Sequence, residues 1–285
     1  MLKSNFAAFI LTHGRPNKVI TWDTLKKAGY TGRIYLILDS EDKTIDEYKE
    51  RFGAQNVIVF DKKDYVGTFD VSDSIQENRG VIYARNASFK IAKDLGLEYY
   101  VQLDDDYTDF LYRFVEDNKF RSTHIKDFDE VVEALLVFLE KTGAVTVAMA
   151  QGGDFMGGLE GDKFRKGILR KAMNSMFFRV DRPTTFIGRI NEDVNAYVVH
   201  GARGDLFFTL TNLQLNQVQT QKSSGGMTEL YLDNGTFVKS FYSVMLAPSC
   251  VTVKTMGRTD RRYHHSVKWN NAVPHIISSK HKKTT

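Results

Sequence analysis

Tyr99-Tyr100-Val101-Gln102-Leu103-Asp104-Asp105-Asp106-Tyr107 is a short apolar strand that runs directly into three consecutive carboxylates. Adjacent like charges at the end of a buried strand repel each other and lose solvation. A divalent cation removes that cost. Hard carboxylate oxygens suit Mg2+ or Mn2+, ions that commonly hold substrate phosphates. On the triplet alone, a solvated acidic loop after an edge strand is the alternative.

The segments before the triplet give it a setting. Phe6-Ala7-Ala8-Phe9-Ile10-Leu11 is continuously apolar, as in a parallel strand buried on both faces. A loop, Thr12-His13-Gly14-Arg15-Pro16, leads to a helix from Asn17 that carries Val19, Trp22 and Leu25 and ends at Gly29. A second strand, Arg33 to Leu38, ends in Asp39. A helical patch from Ile45 to Phe52 and a third strand, Asn56 to Phe60, follow. This βαβαβ start predicts an α/β fold, and ligands of such sheets bind beyond the carboxyl ends of the strands. Thr12, Arg15, Asp39 and the triplet then share one rim. No Gly-x-Gly-x-x-Gly or Walker loop follows the first strand, so a dinucleotide site or P-loop is not expected. From Asp73 to Gly96 the pattern is a loop and then a helix, with Ala84, Ala87, Ile91 and Leu95 at helical spacing and Arg85-Asn86 near its front.

Gly80-Val81-Ile82-Tyr83-Ala84-Arg85-Asn86, a helix, and then a strand ending in Asp104-Asp105-Asp106 together resemble the core of a GT-A glycosyltransferase. That resemblance covers about the first 110 residues by order of elements. It implies a mixed, mainly parallel sheet with flanking helices and a smaller antiparallel region on the acceptor side. Residues 1–285 then form one domain, with 1–110 as the nucleotide-sugar half and 111–285 as the acceptor half. It also implies that Asp104 and Asp106 form the Asp-x-Asp pair, with Asp106 a direct ligand of Mn2+ or Mg2+. Thr12, Arg15, Arg85, Asp104 and Asp105 would border the nucleotide-sugar, and Asp39 would bond its base or ribose. Asp39 also suits a turn or a helix cap.

The second half adds candidates. Asp127 to Thr142 is an amphipathic helix with Phe128, Val131, Val132, Leu135, Leu136 and Leu139 on its apolar face. Strands are expected at Ala144 to Ala150, Met176 to Val180, Asp205 to Leu213, Thr236 to Leu246 and Val251 to Val253. Gln151-Gly152-Gly153-Asp154-Phe155-Met156-Gly157-Gly158 reads equally as a ligand-approaching loop or a surface hairpin, and Ser223 to Gly226 as a flexible loop. Asn191-Glu192-Asp193 begins a helical stretch, where two acids favour a helix N-terminus. GT-A enzymes often have an acidic pair here that faces the acceptor. By that resemblance Asp193 is the general base of an inverting transfer and Glu192 a contact to the donor sugar. The same family often completes its metal site with a C-terminal histidine, a role open to either His264 or His265. Arg258, Arg261 and Arg262 would neutralise the diphosphate.

Charge separates the two ends of the chain. The net charge is +4, yet Val251 to Thr285 carry eight Lys or Arg against one acid, Asp260. That +7 leaves −3 on the preceding 250 residues and suggests a polyanionic partner. Arg261, Lys268 and Trp269 are the residues placed to meet a phosphate backbone and stack on a base. Together with the paired glycines and Asn191-Glu192-Asp193, the pattern is similar to the phage TET-associated glycosyltransferases. That implies a nucleoside-diphosphate sugar donor, UDP-linked, and 5-hydroxymethylcytosine in DNA as acceptor. A glycan, lipid or protein acceptor and a metal-dependent nucleotidyltransferase are the rivals. The first residues lack the pattern of a signal peptide, no apolar run reaches the roughly 20 residues of a membrane span, and Cys250 has no partner for an intrachain disulfide. A cytoplasmic location, host cytoplasm for a phage protein, is the matching expectation.

Overall fold

A computed structural model describes residues 5–73, 80–155, 157–161, 172–218, 227–256, 261–276 and 279. The chain opens with β1 (Phe6–Leu11), α1 (Ile20–Lys27), β2 (Arg33–Asp39), α2 (Ile45–Phe52), β3 (Val57–Phe60), α3 (Ile82–Asp94) and β4 (Tyr99–Asp104). Next come β5 (Tyr107–Glu116), β6 (Lys119–His124), α4 (Phe128–Thr142), β7 (Thr146–Gln151) and β8 (Met176–Arg179). The remainder is α5 (Glu192–Ala202), β9 (Phe207–Gln217), α6 (Met227–Leu246), β10 (Val251–Met256), β11 (Arg262–Val267) and α7 (Trp269–Ala272).

Nine strands form one sheet in the order β3-β2-β1-β4-β8-β7-β9-β5-β6. Only β8 and β5 run against the others, so seven of the nine point one way. β10 and β11 pair antiparallel as a separate ribbon. β1 is apolar throughout because both of its faces are covered: Phe6, Ala8 and Ile10 enter one core, Ala7, Phe9 and Leu11 the other. The first core receives Leu25 of α1, Tyr48 of α2 and Leu135 and Leu139 of α4. The second receives Ile82, Ala87 and Ile91 of α3. With both faces filled, polar side chains collect at the carboxyl edge, where Thr12, Asp39, Asp104, Gln151 and Gln217 line up.

Gly29 ends α1 with φ +85°, and a Cβ there would lie 2.1 Å from the Lys126 carbonyl oxygen. Gly29→Ala therefore imposes strain and a clash together. We expect it to cost about 1–3 kcal/mol, read as a lowered unfolding midpoint in a thermal melt.

Three local expectations change. Thr236 to Leu246 is not a strand but the C-terminal part of the helix α6, whose buried positions include Ser240 and Ser243. Its aromatic and β-branched residues mimic a strand, but tertiary packing overrides that preference. The expected helix from Asn17 to Gly29 is present as α1, but its start is a separate 3₁₀ turn, Pro16–Lys18, and the α-helix proper begins at Ile20. The β5–β6 hairpin escapes the periodicity reading; it turns on Asp117 and Asn118, both left-handed with φ 49° and 55°. A two-residue turn of that kind suits the twist of a hairpin. Among the described residues no helix is long and apolar enough to cross a membrane, and Cys250 is a buried free thiol.

Candidate active site

The acidic turn is held from below by α1. Thr21 donates its hydroxyl to the Asp104 carbonyl (2.6 Å) and its backbone N–H to the Asp105 carbonyl (3.1 Å). Thr24 donates to the Tyr107 carbonyl at 2.8 Å. With the backbone fixed, the three carboxylates diverge. Asp105 points inward, where its Oδ2 accepts from the Thr12 hydroxyl (2.6 Å) and Arg15 Nε (2.8 Å). The middle aspartate thus anchors the Thr12–Arg15 loop.

Asp104 faces Arg85, in the first turns of α3. The buried guanidinium donates through Nη2 to Asp104 Oδ1 at 3.0 Å and through Nε to Glu192 Oε1 at 2.8 Å. Gln102 fixes the start of α3 by donating to the Arg85 carbonyl (2.9 Å), and Asn86 grips the Phe186 backbone through both its amide atoms. One cation thus joins the acidic turn to the front of α5. Burial disfavours the Arg85 charge, but Asp104 and Glu192 outweigh it and hold the group protonated above its ordinary range. Burial, with a smaller contribution from the neighbouring charge of Asp193, pushes Glu192 up in spite of Arg85. Asp104 is raised as well, by burial and by its neighbours Asp105 and Asp193, although Arg85 pulls it down.

Asp193 is buried, and its Oδ1 accepts the Val194 backbone N–H at 2.8 Å. Its side chain has no other hydrogen bond or ion pair among the described residues. One turn further along α5, the Tyr197 hydroxyl is buried without a hydrogen-bond partner among the described residues. The charges of Asp193 and Asp154 both reach it. The start of α5 is latched from outside by Asn191. This residue is left-handed (φ 56°) and donates from its amide to the Lys239 carbonyl (2.7 Å) and the Ser243 hydroxyl (3.2 Å) on α6. The Lys239 ammonium lies within the field of Asp193 and Glu192, and its burial lowers its pKa. Sequence reasoning missed Lys239 because this stretch read as a strand.

Asp106 is the third direction of the turn. Its Oδ1 is buried and has no hydrogen-bond partner among the described residues. Burial, with repulsion from Asp104 and Asp105, pushes its carboxyl up to about 7. Its carbonyl accepts from Val218 N–H at 3.1 Å, which ties the turn to the end of β9. There a cleft of about 680 Å³ opens, lined by Gln151, Gly152, Gly153, Asn216, Gln217 and Arg262. The glycine stretch is in close approach at its front: a Cβ on Gly152 would meet Asn216 Oδ1 at 3.2 Å.

On the far side of the rim, His13 Nδ1 lies 2.8 Å from Asp39 and Lys62 Nζ lies 3.2 Å from it. Burial alone would raise Asp39, but these two cations lower it overall, and the same hydrogen bond raises His13. Asp39 also caps its own turn by accepting from Glu41 N–H at 3.0 Å. His13 and Lys62 gave no sequence signal, since neither lies in a motif.

The C-terminal expectations divide. Arg262 lines the cleft, while Arg261 and Lys268 are exposed. The Trp269 ring stacks on Tyr197 at 5.8 Å and 15°, so it braces α5. His264 and His265 touch each other on β11, with ring centroids 4.4 Å apart. Among the described residues no three His, Cys, Asp or Glu side chains converge into a metal-binding group, so the histidines are not brought onto the Asp104–Asp106 pair. Arg258 lies outside the described residues.

A mixed sheet thus carries an acidic turn at its carboxyl edge, and that turn faces an acidic helix start. The fold is similar to a mannosyltransferase from Pyrobaculum calidifontis solved with GDP-Man and Mn2+, at TM-score 0.51 and 11% identity over 91% of this chain and 68% of that one. Glucosyl-3-phosphoglycerate synthase from Mycobacterium tuberculosis, solved with Mn2+, UDP and phosphoglyceric acid, matches at TM-score 0.48 and 12% identity over 92% and 87%. No curated protein matches by sequence. The chain belongs to the TET-associated glycosyltransferase family, whose sequence profile matches residues 6–226. It is a glycosyltransferase.

Proposed function

We propose that this enzyme moves a sugar from a nucleoside diphosphate, UDP in the first instance, to the hydroxymethyl group of 5-hydroxymethylcytosine in DNA. The observation that carries the reading is the buried guanidinium of Arg85, which bonds both the acidic turn and the helix start beside Asp193. The family match, the basic C-terminal segment and the cleft beside the turn support DNA as the acceptor. The base has to leave the duplex stack to reach such a cleft.

The acceptor oxygen attacks the anomeric carbon, the bond from that carbon to the diphosphate oxygen breaks, and the hydroxyl proton passes to Asp193. A single displacement of this kind inverts the anomeric centre. Tyr197, with its unpartnered hydroxyl beside Asp193, orients the acceptor oxygen. Thr12, Arg15 and Asp39 border the nucleotide, and Glu192 borders the sugar. Arg262, which lines the cleft, faces the departing diphosphate and stabilises charge where it develops. The donor set fits a hard divalent cation, because Asp106 Oδ1 is a buried oxygen with no hydrogen-bond partner among the described residues. Asp104 and Asp106 would hold Mn2+ or Mg2+, which when bound offsets the charge of the diphosphate.

The decisive experiment incubates the protein and Mn2+ with a panel of sugar nucleotides and follows mass change on hydroxymethylated against plain DNA. Mass gain of one sugar on hydroxymethylated DNA alone is the expected result. Sugar-nucleotide hydrolysis with neither DNA modified removes the DNA acceptor. A second test concerns the cation. UDP raises the unfolding midpoint of the wild type more with Mn2+ than without it, and Asp106→Ala abolishes that difference. An unchanged Mn2+-dependent shift would place the ion elsewhere.

A further inference from the structure

We infer that Phe237, Phe241 and Tyr263 form a stacking platform for the DNA strand that carries the acceptor nucleotide, an inference that rests on the DNA reading above. Phe237 and Tyr263 are 56% and 55% exposed, although large aromatic surface is costly to leave in water. They do not stand singly. Phe237 lies 4.4 Å from Phe241 and 5.9 Å from Tyr263, and Phe241 lies 6.2 Å from Tyr263. The three rings come from two elements, α6 and β11, which the Ser240 hydroxyl joins by donating to the Tyr263 carbonyl at 2.8 Å. A preformed cluster of outward-facing rings is a contiguous patch of the kind that marks an interaction surface.

The charge around the rings selects the partner. Residues 237–256 and 261–276 contain no Asp or Glu, and they carry Lys239, Lys254, Arg261, Arg262 and Lys268. Of these, Lys254, Arg261, Arg262 and Lys268 are exposed. Exposed rings beside exposed cations match a nucleic-acid strand, whose bases stack on any aromatic face while its phosphates meet the cations. The platform also adjoins the site. Successive residues of a strand face opposite ways, so β11 gives Tyr263 to the rings and its neighbour Arg262 to the cleft. A strand with one nucleotide in the cleft brings the next bases over the rings.

The test uses fluorescence anisotropy of labelled hydroxymethylcytosine-containing single strands with full-length wild type and the double variant Phe237→Ala/Tyr263→Ala. Stacking of this kind predicts an affinity loss of about tenfold or more for DNA. UDP-sugar hydrolysis without DNA stays within twofold or so, since these rings lie outside the catalytic machinery. Dextran sulfate, which has charge and no bases, should bind both proteins equally. The conservative Phe237→Tyr/Tyr263→Phe variant keeps the rings and should bind DNA like wild type, which separates stacking from a folding defect. Equal DNA affinity of the alanine variant and a wild type that glycosylates DNA would overturn the platform alone. A wild type that hydrolyses donor but neither binds nor modifies DNA would overturn the acceptor reading, and the platform with it. Loss of dextran sulfate binding in step with DNA would also overturn stacking.

Discussion

Asp193→Asn leaves the protein folded and able to bind its donor, yet lowers the rate of sugar transfer by about a hundred- to ten-thousand-fold. Asparagine keeps the size of the side chain and its acceptance of the Val194 N–H, but it takes no proton. The buried position of Asp193, with a Tyr197 hydroxyl one turn away that has no hydrogen-bond partner among the described residues, is why Asp193 is proposed as the base rather than as an ordinary acidic helix start. Steady-state kinetics and isothermal titration with UDP separate the two effects: kcat falls while donor affinity stays. A variant that turns over at the wild-type rate would put the base elsewhere and remove Asp193 from the mechanism.

The second large effect is on stability. Arg85→Met deletes the one cation between Asp104 and Glu192, which then face each other across a buried space. Removing one member of a buried ionic group typically costs about 3–5 kcal/mol, because the remaining charges are stranded. Urea unfolding followed by circular dichroism measures this directly. Arg85→Lys retains a charge but not the fork that reaches two carboxylates, and falls in between. Adding Glu192→Gln to Arg85→Met relieves part of the loss, so the two substitutions are non-additive. A midpoint unchanged by Arg85→Met would mean that the ion pairs do not hold the site together.

Much of the first half was legible in the sequence. Short continuous apolar runs bounded by turn residues, such as Phe6 to Leu11, read as strands covered on both faces, and the order of elements then fixes which ends carry Thr12, Asp39 and Asp104. The acidic turn and Arg85 were legible as motifs, and the structure joins them through hydrogen bonds. What was not legible is how three adjacent aspartates divide. Their inward, lateral and outward directions depend on Thr21 and Thr24 of α1, which carry no pattern of their own. Lys239 and the aromatic cluster were hidden for another reason. A helix rich in Phe, Tyr and Val has the composition of a strand, and only its packing against Asn191 and β11 determines its geometry.

Asn191 hangs the start of α5 on α6, and α6 lies beyond the stretch that the family profile covers. The proposed proton acceptor and the proposed recognition surface are therefore mounted on one strut. A substitution that shifts this strut is expected to alter acceptor binding and turnover together.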